Sequence, residues 1–231
     1  PMHIDKDNFA EYTGSVMSID PSGRGQDETG YAVVKMLNGY LFVTACGGLT
    51  GGYDDKTLEV LSGIAKDHMV NHVIVESNFG DGMYTKLLTP VMARTHKCLI
   101  EEVRHSQQKE KRIIDTIEPV MARHKLVIDP KVVEEDYQTA QRYDQAVRLS
   151  KQMVYQMTRV TMERGALRHD DRLDALAMAV GYWVEQMARD EQLGIDDALE
   201  DARKLELEDF MDMALRPRVN RKSTPRALTW V

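Results

Sequence analysis

The sequence predicts an α/β fold on a mixed sheet, in which a three-strand antiparallel meander is followed by parallel strands and flanked by helices. Three observations carry that expectation. Apolar, β-rich runs near the start are joined across Asn38-Gly39, the strongest short hairpin signal a sequence offers. After the acidic pair Asp54-Asp55 the apolar period changes to that of a helix. Helices and short apolar runs then alternate, the pattern of a sheet with crossover connections.

Taken in order, Gly14–Asp20 (GSVMSID) is an apolar run that ends in an acid and is stopped by Pro21, the first strand. Residues 31–37 (YAVVKML) and 40–46 (YLFVTAC) form the hairpin. The glycine cluster from Gly47 to Gly52 reads as a loop. Leu58, Val60, Leu61, Ile64 and Ala65 fall at helical spacing, and residues 72–75 (HVIV) are a β-branched run ending in Glu76. Residues 80–94 are helical with Pro90 as a kink or early end, and 98–103 read as a strand. Residues 109–123 are helical until Pro119, whereas 125–128 are too short to assign. Residues 132–160 read as mainly helical, with a break at Arg164-Gly165. A new helix starts at His169-Asp170, where Asp170 is the expected N-cap. Leu173, Leu176, Ala177, Val180 and Trp183 turn its apolar face to the sheet. Residues 185–212 continue as an acidic helix, and Pro217 and Pro225 mark a tail expected to be disordered. One domain is expected over residues 1–190, with the acidic helix and basic tail over 191–231.

Composition narrows the class. No apolar run approaches the roughly 18 residues of a membrane span, and Asp5, Asp7 and Glu11 stand where a signal peptide would be basic and then apolar. A soluble, cytosolic protein is expected. Cys46 and Cys98 lack the spacing of a zinc site and are expected to be reduced core residues. The net charge is −7, but Arg216, Arg218, Arg221, Lys222 and Arg226 lie in a tail with no acid. The rest holds 25 basic against 37 acidic residues. An acidic body does not exclude nucleic acid, because divalent cations on a carboxylate site reverse the local field.

The chemistry rests on acids at element ends. Asp20 and Glu76 each terminate a strand, where α/β sheets place their sites. If the strands are neighbours, about 4.8 Å apart, both carboxylates reach one cation. Each acid alone reads more readily as the first solvated residue past a strand. Asp171 and Asp174, three apart at a helix start, share a face and can point at a common ion. Asp174 interrupts an apolar stretch, and buried without a partner its carboxylate would cost several kcal/mol. First-turn acids that complement the helix dipole are the alternative for this pair. Asp81 reads as a cap, and His169 as structural or exposed. Arg104, His105, Lys109, Lys111 and Arg112 form the densest basic stretch of the body, either on a solvated helix face or against phosphates.

In order and topology this carboxylate set is similar to that of the ribonuclease H superfamily. The segments MSIDPSGRGQDETGYAVV, HVIVESNFGDGMY and ERGALRHDDRLDALAMAVGYW resemble most closely the nuclease domain of large terminase subunits of tailed phages, of podovirus type. The resemblance covers most of residues 14–185. It implies a ribonuclease H-like sheet and an endonuclease that cuts duplex, concatemeric viral DNA with little sequence preference during packaging. Asp20, Glu76 and Asp174 would be catalytic metal ligands, with Asp171 a fourth ligand or close support; which of the pair binds directly stays open. Oxygen ligands imply two Mg²⁺ or Mn²⁺ ions. The implied partners are double-stranded DNA, the portal protein, the small terminase subunit and the ATPase half of the same subunit. No GxxxxGK(S/T) loop occurs, so the chain is expected to be the nuclease half without its motor. The implied place is the host cytoplasm, outside the mature virion. Two other readings are a Holliday-junction resolvase-like nuclease, which also uses paired acids on a late helix, and a docking module for a portal or packaging protein.

Overall fold

The computed structural model describes residues 10–22, 27–77 and 82–215. Asp81 and the basic tail, both singled out above, lie outside them. Among the described residues, six strands form one sheet in the order β5-β4-β1-β2-β3-β6. These are β1 (Gly14–Asp20), β2 (Thr29–Leu37), β3 (Tyr40–Leu49), β4 (His72–Glu76), β5 (Leu99–Val103) and β6 (Leu126–Ile128). The pairs β1/β2 and β2/β3 are antiparallel, and β1/β4, β4/β5 and β3/β6 are parallel. The meander and the mixed sheet are therefore as the sequence predicts.

The helices are α1 (Asp55–Asp67), α2 (Met83–Thr95), α3 (Lys109–Ala122), α4 (Pro130–Ala140), α5 (Gln145–Arg148), α6 (Met153–Arg159) and α7 (Asp171–Leu215). Side-chain alternation splits the core between the two faces of the sheet. Met17, Ile19, Val73 and Val75 pack on Leu58 and Leu61 of α1 and Leu88 and Met92 of α2. Val16, Ala32, Val34 and Ile74 pack on Ile113 and Ile117 of α3 and Leu173, Leu176 and Val180 of α7. The chain divides into two compact units, one ending at Met187 and one beginning at Ala188. The α7 residues of the second unit carry exposed Leu193, Leu199, Leu205 and Phe210 among acids. No described helix is long and apolar enough to cross a membrane.

Four details differ from the sequence reading. Gly47 and Gly48 are not loop but the end of β3, paired with Tyr31 and Gly30. A β-carbon at Gly47 would stand 2.7 Å from the Tyr31 hydroxyl, and one at Gly48 would collide with the Glu28 carboxylate. Residues 125–128 do yield a strand, because Leu126–Ile128 finds an edge beside β3. Residues 132–160 are several short helices, since the buried Asp136 carboxylate accepts from Met153 N (2.9 Å) and starts α6 anew. Pro90 and Pro119 lie inside α2 and α3 without ending them. Both prolines are exposed, so the carbonyls they leave free can take water. Cys46 is buried and Cys98 half-buried, both free thiols.

Candidate metal centre

Asp20 closes β1 and Glu76 closes β4, and these strands run parallel with Ile19 opposite Val75. Both acids thus leave the sheet at adjacent carboxyl ends. Asp20 shares the strand face of Ser18 and Val16, against which α7 packs; Ser18 Oγ donates to the Ala175 carbonyl. That contact brings the first turn of α7, and with it the fully buried Asp174, over the strand ends. One carboxylate oxygen from each of Asp20, Glu76 and Asp174 lies within 4.8 Å of the other two.

Asp171 is not in that trio. Three residues along a helix fall about 60° short of a full turn, and Asp171 instead meets Asp27 and His169, again within 4.8 Å. Its carboxylate stands 3.7 Å from the buried Lys151 ammonium.

Two cations from α3 enter the trio. Lys109 Nζ lies 2.9 Å from Asp174 Oδ2, 3.3 Å from Asp20 Oδ2 and 3.0 Å from Asp170 Oδ1. Arg112 Nη2 bridges Asp174 Oδ1 at 2.6 Å and Glu76 Oε1 at 3.3 Å. Lys109 and Arg112 are three apart, and Arg112 adjoins the core residue Ile113, so one face of α3 carries both inward. They are therefore not part of a solvated helix face; Lys111 and Arg104 are exposed. His105 Nδ1 lies 3.2 Å from Glu76 Oε1.

Electrostatics follow from this crowding. Burial lifts the Asp20 carboxyl well above its ordinary range; Lys109 opposes the rise, and Asp174 and Glu76 add to it. Burial also raises Asp174, against Lys109 and Arg112. Burial would raise Glu76 too, but the His105 hydrogen bond and the charges of Arg112 and Lys109 hold it low. Asp171 is pushed up to about 6, chiefly by burial, with Lys151 pulling the other way. Lys109 keeps its proton more firmly than a free lysine, because Asp174, Asp20 and Asp170 outweigh its burial.

The donor set fits a divalent cation. It is made of hard carboxylate oxygens, which suit Mg²⁺ or Mn²⁺ over zinc. Glu76 Oε2 is buried and has no hydrogen-bond partner among the described residues, an arrangement that is costly unless something positive arrives.

Sequence reasoning missed the scaffold beneath the trio. Arg172, fully buried between the two acids of α7, pairs with Glu28 (2.9 Å) and Asp136 (2.8 Å). Tyr143 donates its hydroxyl to Glu28. Arg172 precedes Leu176 by one turn at the rim of the apolar face, the one signal that it points inward.

Residues 19–126 match the family described as Terminase Bacteriophage T7, Ribonuclease H-like domain. The large terminase subunit of Enterobacteria phage T3 is 46% identical over 188 residues, 81% of this chain. The chain spans about a third of the length of that relative, 32%. The fold is similar to the human cytomegalovirus terminase nuclease domain, solved soaked with Mn and bound to an inhibitor: TM-score 0.51, 13% identity, 74% of this chain and 84% of that one. It is also similar to the nuclease domain of the large terminase subunit of bacterial virus Sf6: TM-score 0.50, 11% identity, 76% of this chain and 91% of that one.

Proposed function

The chain belongs, over residues 19–126, to the terminase ribonuclease H-like domain family, and from that premise we propose that it is the metal-dependent endonuclease that cuts duplex viral DNA during genome packaging. The observation that carries the reading is the convergence of Asp20, Glu76 and Asp174 from two parallel strand ends and one helix start, with a buried oxygen of Glu76 left unpartnered. On this reading those three carboxylates hold two Mg²⁺ or Mn²⁺ ions, with Asp171 close by as support or fourth ligand. Bound divalent cations would supply an activated water and stabilisation of the leaving 3′ oxygen for in-line attack on phosphorus. The chain's own contribution is placement: β1 and β4 fix two ligands in register, α7 lowers the third onto them, and Arg112 orients Glu76 and Asp174.

The sequence shows no helix-turn-helix, zinc-finger or aromatic stacking motif, and the proposed cleavage has little sequence preference. The choice of cut site then falls to partners: the ATPase half of the subunit, the small terminase subunit and the portal protein. The proposed place of action is the host cytoplasm, on DNA entering a capsid. The T3 relative, a terminase large subunit of which this chain spans about a third, supports this assignment.

The test is cleavage of supercoiled plasmid with Mn²⁺, Mg²⁺ or EDTA, by the chain and by Asp20→Asn, Glu76→Gln, Asp171→Asn and Asp174→Asn variants checked for folding. Metal-dependent nicking and linearisation, lost in the Asp20 and Glu76 variants and in at least one of the helix pair, are expected. Full activity in those variants, or none in folded wild type with any metal, would refute the proposal and leave docking as the remaining role.

A further inference from the structure

We propose that Lys109 is a built-in counter-ion that holds the cation position between Asp20 and Asp174 and must be displaced for a divalent metal to bind there. The inference rests on the metal-site reading above and concerns how that site is kept before metal arrives.

The oxygens of the trio are divided between two cations. Arg112 takes Oδ1 of Asp174 and Oε1 of Glu76, the latter shared with His105. Lys109 takes Oδ2 of Asp174 and Oδ2 of Asp20. Lys109 thus covers one oxygen each of Asp20 and Asp174, beside Glu76, whose Oε2 has no hydrogen-bond partner among the described residues. The two cations differ in how firmly they are held. Arg112 is buried, and its Nη2 alone meets two carboxylates, while Nε and Nη1 have no hydrogen-bond partner among the described residues. Lys109 keeps 35% of its side chain exposed, on a flexible four-carbon stem. It is also the first residue of α3, the positive end of the helix dipole, so the helix gains nothing from a cation there. Asp170 Oδ1, 3.0 Å away, offers a second partner outside the trio. Lys109 can move to Asp170 and solvent when a doubly charged ion takes its place. Until then it offsets the repulsion among three buried carboxylates, which two unit charges at such range make severe.

Two measurements on the full 231-residue chain test this, with Mn²⁺ as the probe. The first is amine-selective acetylation of wild type followed by mass spectrometry, with and without saturating Mn²⁺. Lys109 is expected to become more reactive when Mn²⁺ is bound, because its ammonium leaves the carboxylates. The second is calorimetric titration of Lys109→Met, expected to bind Mn²⁺ about tenfold or more tightly than wild type and to melt at lower temperature in EDTA. Reactivity of Lys109 that is unchanged or reduced by bound Mn²⁺ overturns the proposal, as does equal or weaker Mn²⁺ binding by a folded Lys109→Met. If that variant does not fold in EDTA, the labelling of wild type decides alone. Absence of any Mn²⁺ binding by wild type is a different result: it removes the metal-site reading itself.

Discussion

Gly30 lies directly against the backbone carbonyl of Asp171, so closely that a β-carbon at position 30 would overlap that oxygen. Gly30 sits opposite Asp20 in the β1/β2 ladder. The absent side chain is what allows α7 to begin over the strand end that carries Asp20, and hence what lets Asp174 reach it. Gly30→Ala is expected to push the start of α7 away from the sheet and to destabilise the fold by about 1–3 kcal/mol. Urea unfolding and Mn²⁺ titration check this together. Unchanged stability with unchanged metal affinity would show that α7 does not depend on the close approach.

Arg172 anchors the same helix from below. Its guanidinium is the counter-charge of Glu28 and Asp136, all three fully or nearly fully buried. Removing one partner of such a set leaves uncompensated buried charge and costs about 3–5 kcal/mol. Arg172→Met should therefore lower stability by that order. The double variant Arg172→Met with Glu28→Gln should recover part of the loss, because one stranded carboxylate is gone. A double variant no better than the single one, in chemical denaturation, would mean the network is not coupled as drawn.

How far the sequence discloses this site depends on which physical signal each residue leaves. Asp20 and Glu76 end runs whose β pattern is visible, so their places at strand ends were legible before any coordinates. The meander was legible from Asn38-Gly39, and the face of Asp20 from alternation along GSVMSID. Lys109 and Arg112 were not: charged residues three apart on a helix look the same whether they face water or a buried carboxylate. Gly47 and Gly48 read as a loop in the sequence, which does not show the Tyr31 and Glu28 side chains that require room beside them. The choice between Asp171 and Asp174 was closed to sequence as well, since their spacing places both near one face. Only the docking of α7 on Ser18 and Gly30 separates them.

That separation has a pH signature. Asp171 is raised to about 6, mainly by burial. A carboxyl whose folded value lies above its unfolded one destabilises the fold above that folded value, where it must be ionised; the penalty is relieved as pH falls through about 6 toward the ordinary carboxylate range. In EDTA, Asp171→Asn should therefore melt higher than wild type at about pH 8, and the gap should narrow below about pH 6 and close near about pH 4. Thermal melts across that range are the check. A gap that holds constant, or grows as pH falls, would contradict burial as the dominant influence on Asp171.

The two acids of α7 should also part company in metal binding and cleavage. Asp174 is fully buried with its carboxylate among those of Asp20 and Glu76, whereas Asp171 meets Lys151, Asp27 and His169. If the trio holds the metal, Asp174→Asn removes a ligand and leaves Arg112 with one anion fewer to bridge, while Asp171→Asn alters only the surroundings. A supporting group of that kind typically costs about 10–100-fold in affinity or activity when lost. Asp171→Asn is expected within that range or below it, and Asp174→Asn beyond it. Mn²⁺ titration and plasmid cleavage of the two variants, run side by side, read the difference directly. The reverse order, with Asp171→Asn the more damaging, would move the third ligand to Asp171. The metal would then lie toward Asp27 and His169 rather than between the strand ends.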